Sequence, residues 1–156
     1  MSTIDSELFT NALRSLLDET FDNVQGYYLD RGTSFFETLA DVSAAEASIP
    51  VGGKCATLAA QVKHVAFYLD VVDKSVREGN RRVDWGEIWR TVSVVSPEEW
   101  EAIKAELRAS YDRILQLIDD MPAWTSEAQI GGAIGVIVHT AYHLGEVRQA
   151  LCTLKP

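Results

Sequence analysis

Apolar residues recur in steps of three and four along four stretches of the chain, the spacing of an amphipathic helix. The first stripe holds Ile4, Leu8, Ala12, Leu13, Leu16, Leu17, Phe21 and Val24, and predicts a helix that stops near Gly26. The second, with Leu58, Val62, Val65, Leu69, Val72 and Val76 on one side, predicts a helix from about Ala56 to Glu78. Pro50-Val51-Gly52-Gly53 before it and Asn80 after it are suitable punctuation. The third has the clearest start, because Ser96-Pro97-Glu98-Glu99 reads as a capping box with proline at the first helical position. Its stripe of Trp100, Ile103, Leu107, Tyr111, Ile114 and Ile118 ends at Met121-Pro122. The fourth helix is expected from about Ala128 to Leu151. It is apolar nearly all round as far as Leu144, a pattern that places a helix inside a protein.

The connections are unequal. Tyr27 to Gly53 separates the first two helices, with a short extra helix expected over Ser34 to Val42. Arg81 to Val95 separates the second and third. Thr91-Val92-Ser93-Val94-Val95 alternates but is too short and isolated to found a sheet. The expected fold is therefore all-α, a four-helix bundle with long first and second connections, formed by residues 1–156 as a single domain.

Composition narrows the partners. Hydrophobic residues make up 47% and charged residues 24% of 156, which excludes the low-hydrophobicity signature of disorder. The formal net charge is −9, and the longest basic run is Arg81-Arg82. Phosphate contacts dominate nucleic-acid affinity, so the charge disfavours DNA, RNA and anionic membranes as partners. The start, Met1-Ser2-Thr3-Ile4-Asp5-Ser6-Glu7, lacks a signal peptide's basic and apolar regions. Ile130 to Val138 is too short an apolar run to span a bilayer. Cys55 and Cys152 form no metal or redox spacing. A cytoplasmic protein is expected.

The chain has three histidines. His139 and His143 are four apart on the fourth helix and project from one face within one turn. Two imidazoles at that spacing chelate one divalent ion in H-x-x-x-H metalloprotease helices. His64 lies near the middle of the second helix, and would complete the set if those two helices are neighbours. Three nitrogen ligands with a position left open is the catalytic pattern, whereas closed structural sites carry four protein ligands. Neither cysteine completes a closed site: Cys55 falls nine positions before His64, on the opposite side, and Cys152 turns away from the His139/His143 face. The competing reading is three packed core histidines, each donating to a backbone carbonyl.

Glu146, three after His143, shares its face, and two roles fit: orienting an imidazole, or acting as a general base. A solvated carboxylate in the last turns of a helix is the alternative. Tyr68, four after His64, is a core aromatic or a hydrogen-bond donor to a ligand, and Gln61 is a weaker candidate of the same kind. Gly131, Gly132 and Gly135 weaken a helix, so they suggest close approach of a neighbour or room for a substrate. Trp85, Trp89, Trp100 and Trp124 read as loop-packing residues, with Trp85 and Trp89 also placed to line a pocket mouth.

Two segments carry a family resemblance: Thr57-Leu-Ala-Ala-Gln-Val-Lys-His64-Val-Ala-Phe-Tyr-Leu69 and His139-Thr-Ala-Tyr-His143-Leu-Gly-Glu-Val-Arg148-Gln149. With Tyr27 to Leu39 and the Asp84-Trp85 … Trp89 … Trp100 pattern, the chain resembles the DinB/YfiT-like metalloenzymes over nearly its whole length. The resemblance implies a four-helix bundle holding zinc or nickel through His64, His139 and His143. It also implies a homodimer and thiol-dependent chemistry, since characterised relatives are mostly S-transferases and isomerases that use a low-molecular-weight thiol. Apolar stripes on the first and third helices wider than one neighbour needs point to a homodimer as well. One departure is Glu146, where many relatives place glutamine after Gly145.

Three functions follow as expectations. The first is a divalent-metal-dependent enzyme acting on a small-molecule substrate, as a thiol-dependent transferase or isomerase or as a hydrolase. The second is a stress-response protein that holds metal without turnover. The third is a metal-free bundle that binds a small ligand or partner.

Overall fold

The computed structural model describes residues 5–51, 55–79 and 82–154. Ile4, the Gly52-Gly53 pair, Asn80 and Arg81, all used in the sequence reading, lie outside the described residues. The described residues form seven helices and no strand: α1 (Ser6–Phe21), α2 (Phe35–Leu39), α3 (Ala44–Ala47), α4 (Leu58–Glu78), α5 (Glu87–Thr91), α6 (Pro97–Asp119) and α7 (Glu127–Leu154). Four are long and match the four apolar stripes. Helix α4 packs on α6 and on α7, and α1 packs on α7 and α6, so each long helix has two long neighbours. One apolar cluster lies between them, including Leu17, Leu69, Leu107 and Val147. Fully buried leucines of this kind each contribute roughly 1.5–3 kcal/mol, enough to hold the α4 register and with it the height of His64.

Helix starts follow the local chemistry. Thr57 caps α4 by accepting from the Ala60 N–H, and Ser96 and Glu99 form the expected capping box of α6. Helix α7 has a second box that the sequence reading did not identify, in which Ser126 and Gln129 each take the other's backbone N–H.

The structure corrects four expectations. Helix α1 stops at Phe21, before Val24, because the chain beyond it turns back to bond the Glu19 carboxylate. The short helix expected over Ser34 to Val42 is present but confined to α2, and α3 follows beyond it, each opened by its own serine–glutamate capping box. The second connection contains α5, which carries Trp89. Finally, α7 is not enclosed: Ile134, Val138 and Tyr142, one turn apart, are 46%, 60% and 62% exposed. The stripe of α6 is spent on the core, since Trp100, Ile103, Leu107, Tyr111, Ile114 and Ile118 are all buried. Most of the surplus apolar surface on the long helices thus lies on α7, with Leu8 on α1 and Val76 on α4 also exposed.

Among the described residues, no helix is long and apolar enough to cross a membrane. The glycines of α7 do not mark close helix approach. A Cβ at Gly131 or Gly132 would meet nothing within 4 Å, and one at Gly135 would meet only the Tyr68 hydroxyl, at 3.8 Å. Gly132 instead lines an apolar cavity of about 150 Å³ with Val72, Ile118, Trp124 and Val136.

Candidate metal centre

Packing of α4 against α7 brings the three histidines to one point. His64 looks across from α4, while His139 and His143 reach it from successive turns of α7, their rings 4.5 Å apart. One nitrogen from each histidine can be chosen so that all three lie within 4.8 Å of one another. The Nε2 atoms of His64 and His139 are 3.3 Å apart. Two nitrogens bound to one zinc at about 2.0–2.1 Å can be no more than about 4.2 Å apart. The His64–His139 pair already meets that limit, and the 4.8 Å that bounds the set is about 0.6 Å above it. The three residues therefore fit a single metal ion.

Their electrostatics fit as well. Burial disfavours the imidazolium at His64 and, with the neighbouring His143, brings its pKa down to about 4 against the pull of Glu146. Burial, His143 and His64 lower His139 to about 4 too. At His143 burial lowers the pKa and outweighs the opposing bond from Glu146. All three are neutral near pH 7, the form that donates a lone pair to a cation.

The rings are oriented in two different ways. His143 Nδ1 lies 2.9 Å from Gln61 Oε1 and 2.8 Å from Glu146 Oε2. Two acceptors assign the proton to Nδ1 and leave the Nε2 lone pair free, the arrangement by which an outer partner sets a ligand's tautomer. His64 and His139 have no such support, and their buried Nδ1 atoms lack hydrogen-bond partners. Aromatic faces hold them instead. Tyr68 stacks on His139 at 3.6 Å and 15°, and Trp89 lies over His64 at 4.5 Å.

The sequence-predicted residues thus divide. His64, His139, His143, Gln61 and Glu146 come together. Tyr68 is a stacking partner, not a hydrogen-bond donor to a histidine. Trp89, 40% exposed, stands beside His64 and His143, Trp85, 46% exposed, lies against Phe67 and Tyr68, and Trp100 is buried and donates to the Val42 carbonyl. Trp124 packs edge-on against Phe9 and donates to Thr10. Cys55 and Cys152 are free, exposed thiols.

One buried ionic group escaped the sequence reading. Glu19 is fully buried, and its carboxylate accepts from the backbone N–H groups of Gln25, Tyr27, Tyr28 and Leu29 at 2.6–3.0 Å. Burial alone would raise its pKa, but the four N–H donors prevail and hold it at about 2. Nothing local in the sequence signals it, because the partners lie six to ten residues further along.

Fold and site together define an all-helical protein whose three histidines can hold a metal ion. No protein-family model matches the chain, and no curated protein or solved structure matches it.

Proposed function

We propose that the chain is a divalent-metal-dependent enzyme of the DinB/YfiT-like four-helix-bundle class, acting on a small molecule. The observation that carries the reading is the convergence of three neutral nitrogen donors with no fourth histidine, cysteine or carboxylate in the group among the described residues. Such a ligand set leaves coordination positions for substrate. His64, His139 and His143 would hold zinc or nickel, which supplies the Lewis acidity that favours the anionic form of a water or a thiol.

Within that class, thiol transfer or isomerisation is favoured over base-assisted hydrolysis. A general base must lie within hydrogen-bond reach of the proton it removes. Glu146 is engaged with Nδ1 of His143, on the side of the ring away from the nitrogen that tautomer leaves for the metal. Its proposed role is to position His143. Gln61 shares that task, Tyr68 and Trp89 wedge the other two rings, and exposed Trp89 flanks the approach.

The test pairs metal analysis of protein purified without nickel resin with a screen of low-molecular-weight thiols against small electrophiles. One metal per chain and metal-dependent thiol consumption are expected. Failure to retain zinc or nickel even after reconstitution would sink the reading in favour of a metal-free ligand-binding bundle. Metal without turnover of any thiol or ester would leave a metal-holding protein.

We also propose a homodimer, formed through the face of α7 that exposes Ile134 and Val138, apolar residues of the kind that mark an interaction surface. Light scattering at micromolar concentration should give twice 17.3 kDa, and Val138→Glu should halve it. A wild-type mass of 17.3 kDa would overturn the dimer.

A further inference from the structure

A groove of about 460 Å³ opens beside His143, with a lining that includes Cys55, Gln61, Tyr142, Gly145, Glu146 and Ala150. Its volume is in the range of small-ligand sites. Among the described residues of the lining, Glu146 alone carries a formal charge. Gln61 and Glu146 are the two acceptors that hold His143, so the groove and the histidine cluster share a wall.

The carboxylate has capacity to spare. It takes the His143 Nδ1–H, and the Tyr142 hydroxyl, one helical turn before it, lies close enough to feel its charge. An ionised carboxylate has about four lone-pair sites, so most remain, and the side chain is 35% exposed. The Tyr142 ring beside it offers a cation a π face. Much of the remaining wall is apolar, with Val51, Ala56 and Ala150. Gly145 leaves the groove open, since a Cβ there would meet nothing within 4 Å.

We propose that this groove binds a small primary amine, its ammonium group on Glu146 and Tyr142 and its alkyl chain along Val51, Ala56 and Ala150. An ammonium supplies the donors and positive charge that the free lone pairs of Glu146 lack, whereas a carboxylate or phosphate would bring like charge against Glu146. The proposal does not rest on the metal reading, because the groove is formed by residues other than the three histidines.

Cys55 and Cys152 give the experiment an internal comparison, since both are exposed but only Cys55 lines the groove. Hexylamine, 1-hexanol and hexanoate would be titrated into metal-free protein by calorimetry. Iodoacetamide labelling of each cysteine would be followed by peptide mass. Hexylamine should bind at least tenfold more tightly than hexanol, hexanoate should not bind, and hexylamine should slow labelling of Cys55 but not of Cys152. Gly145→Leu fills the groove and replaces a helical glycine, so it should fold and lose hexylamine binding. Glu146→Gln should reduce hexylamine affinity to that of hexanol. Three outcomes would each overturn the proposal: equal affinity for amine and alcohol, equal protection of both cysteines, or unchanged binding in Gly145→Leu, which would put the ligand elsewhere, as in the apolar cavity at Gly132. A separate metal analysis on the same samples keeps failure of the metal reading distinct from failure of this one.

Discussion

Two of the polar clusters among the described residues, one at Glu19 and one at the histidines, are built on opposite terms. Around Glu19 all bonding capacity is used: four backbone N–H groups fill about four lone-pair sites, and Gly26, at φ 89°, lets the chain turn tightly enough to deliver them. Around His64 and His139 capacity is left over. Two buried Nδ1 atoms have no partner, and two Nε2 atoms face each other where at most one can donate. Buried polar groups in proteins are ordinarily satisfied, so an unsatisfied cluster asks for something further. Burial alone therefore does not separate function from structure here. Glu19 is the more deeply buried of the two clusters and has no bonding capacity left for a ligand, whereas the histidines are neutral and have lone pairs available.

The comparison breaks most sharply at His143. Replacing it with alanine removes one of the three proposed ligands, the one whose tautomer is fixed from behind, so on the proposed function metal and activity should be lost together. Metal analysis and turnover on the same preparation check this, and retained stoichiometric metal would refute it. The fold should survive, because the helices around the cluster are held by buried leucines and valines rather than by the histidines.

Glu19→Gln should do the reverse. The amide keeps the shape but offers one acceptor oxygen to four N–H donors and turns its own NH₂ toward two of them. Unmet donors cost about 1–3 kcal/mol each when buried, and the loop can admit water to some of them, so a loss of roughly 2–4 kcal/mol is expected. Urea unfolding should reveal it as a lower midpoint, while metal affinity stays unchanged. A metal affinity that fell with Glu19→Gln would mean that the two clusters are coupled and the contrast drawn here is false.

Acid sharpens the same point. The Glu19 carboxyl titrates near 4.5 in an unfolded chain and at about 2 in the folded protein. Between those values the unfolded state binds more protons, so the stability this group contributes is full above pH 4.5 and is lost as pH falls toward 2. Unfolding free energies measured from pH 5 to 2 should fall more steeply for wild type than for Glu19→Gln. Parallel curves would show that the N–H cradle does not hold the carboxylate ionised.

The same contrast explains what could be read from the sequence. The long helices, the α6 capping box and the convergence of His64, His139 and His143 rest on local periodicity plus one neighbour relation between α4 and α7, and these were legible. Glu19 was not, because its partners are backbone groups of an irregular loop that no side-chain pattern announces. The stacking of Tyr68 on His139 and of Trp89 on His64 was not legible either, since it depends on rotamers and on the placement of α5. The exposure of α7 was misjudged because an apolar circumference looks the same whether the protein's own core or a second molecule covers it.

The smallest effect is expected at Glu146. Replacing it with glutamine leaves an amide oxygen able to accept from His143 Nδ1, with Gln61 still on the same atom at 2.9 Å. Loss of an outer partner of a ligand typically costs 10–100-fold in metal affinity, and retention of an acceptor places Glu146→Gln toward the lower end. Turnover at saturating metal should persist, because the group touches the back of the imidazole and not the reacting atoms. Were Glu146 the general base, the same substitution would cost about 10²–10⁴-fold in rate with metal bound, since an amide cannot take a proton at neutral pH. Metal affinity and saturated turnover, measured separately on the one variant, therefore decide between a carboxylate that aims a ligand and one that moves a proton. A rate loss of that size at full metal occupancy would assign Glu146 to the chemistry after all.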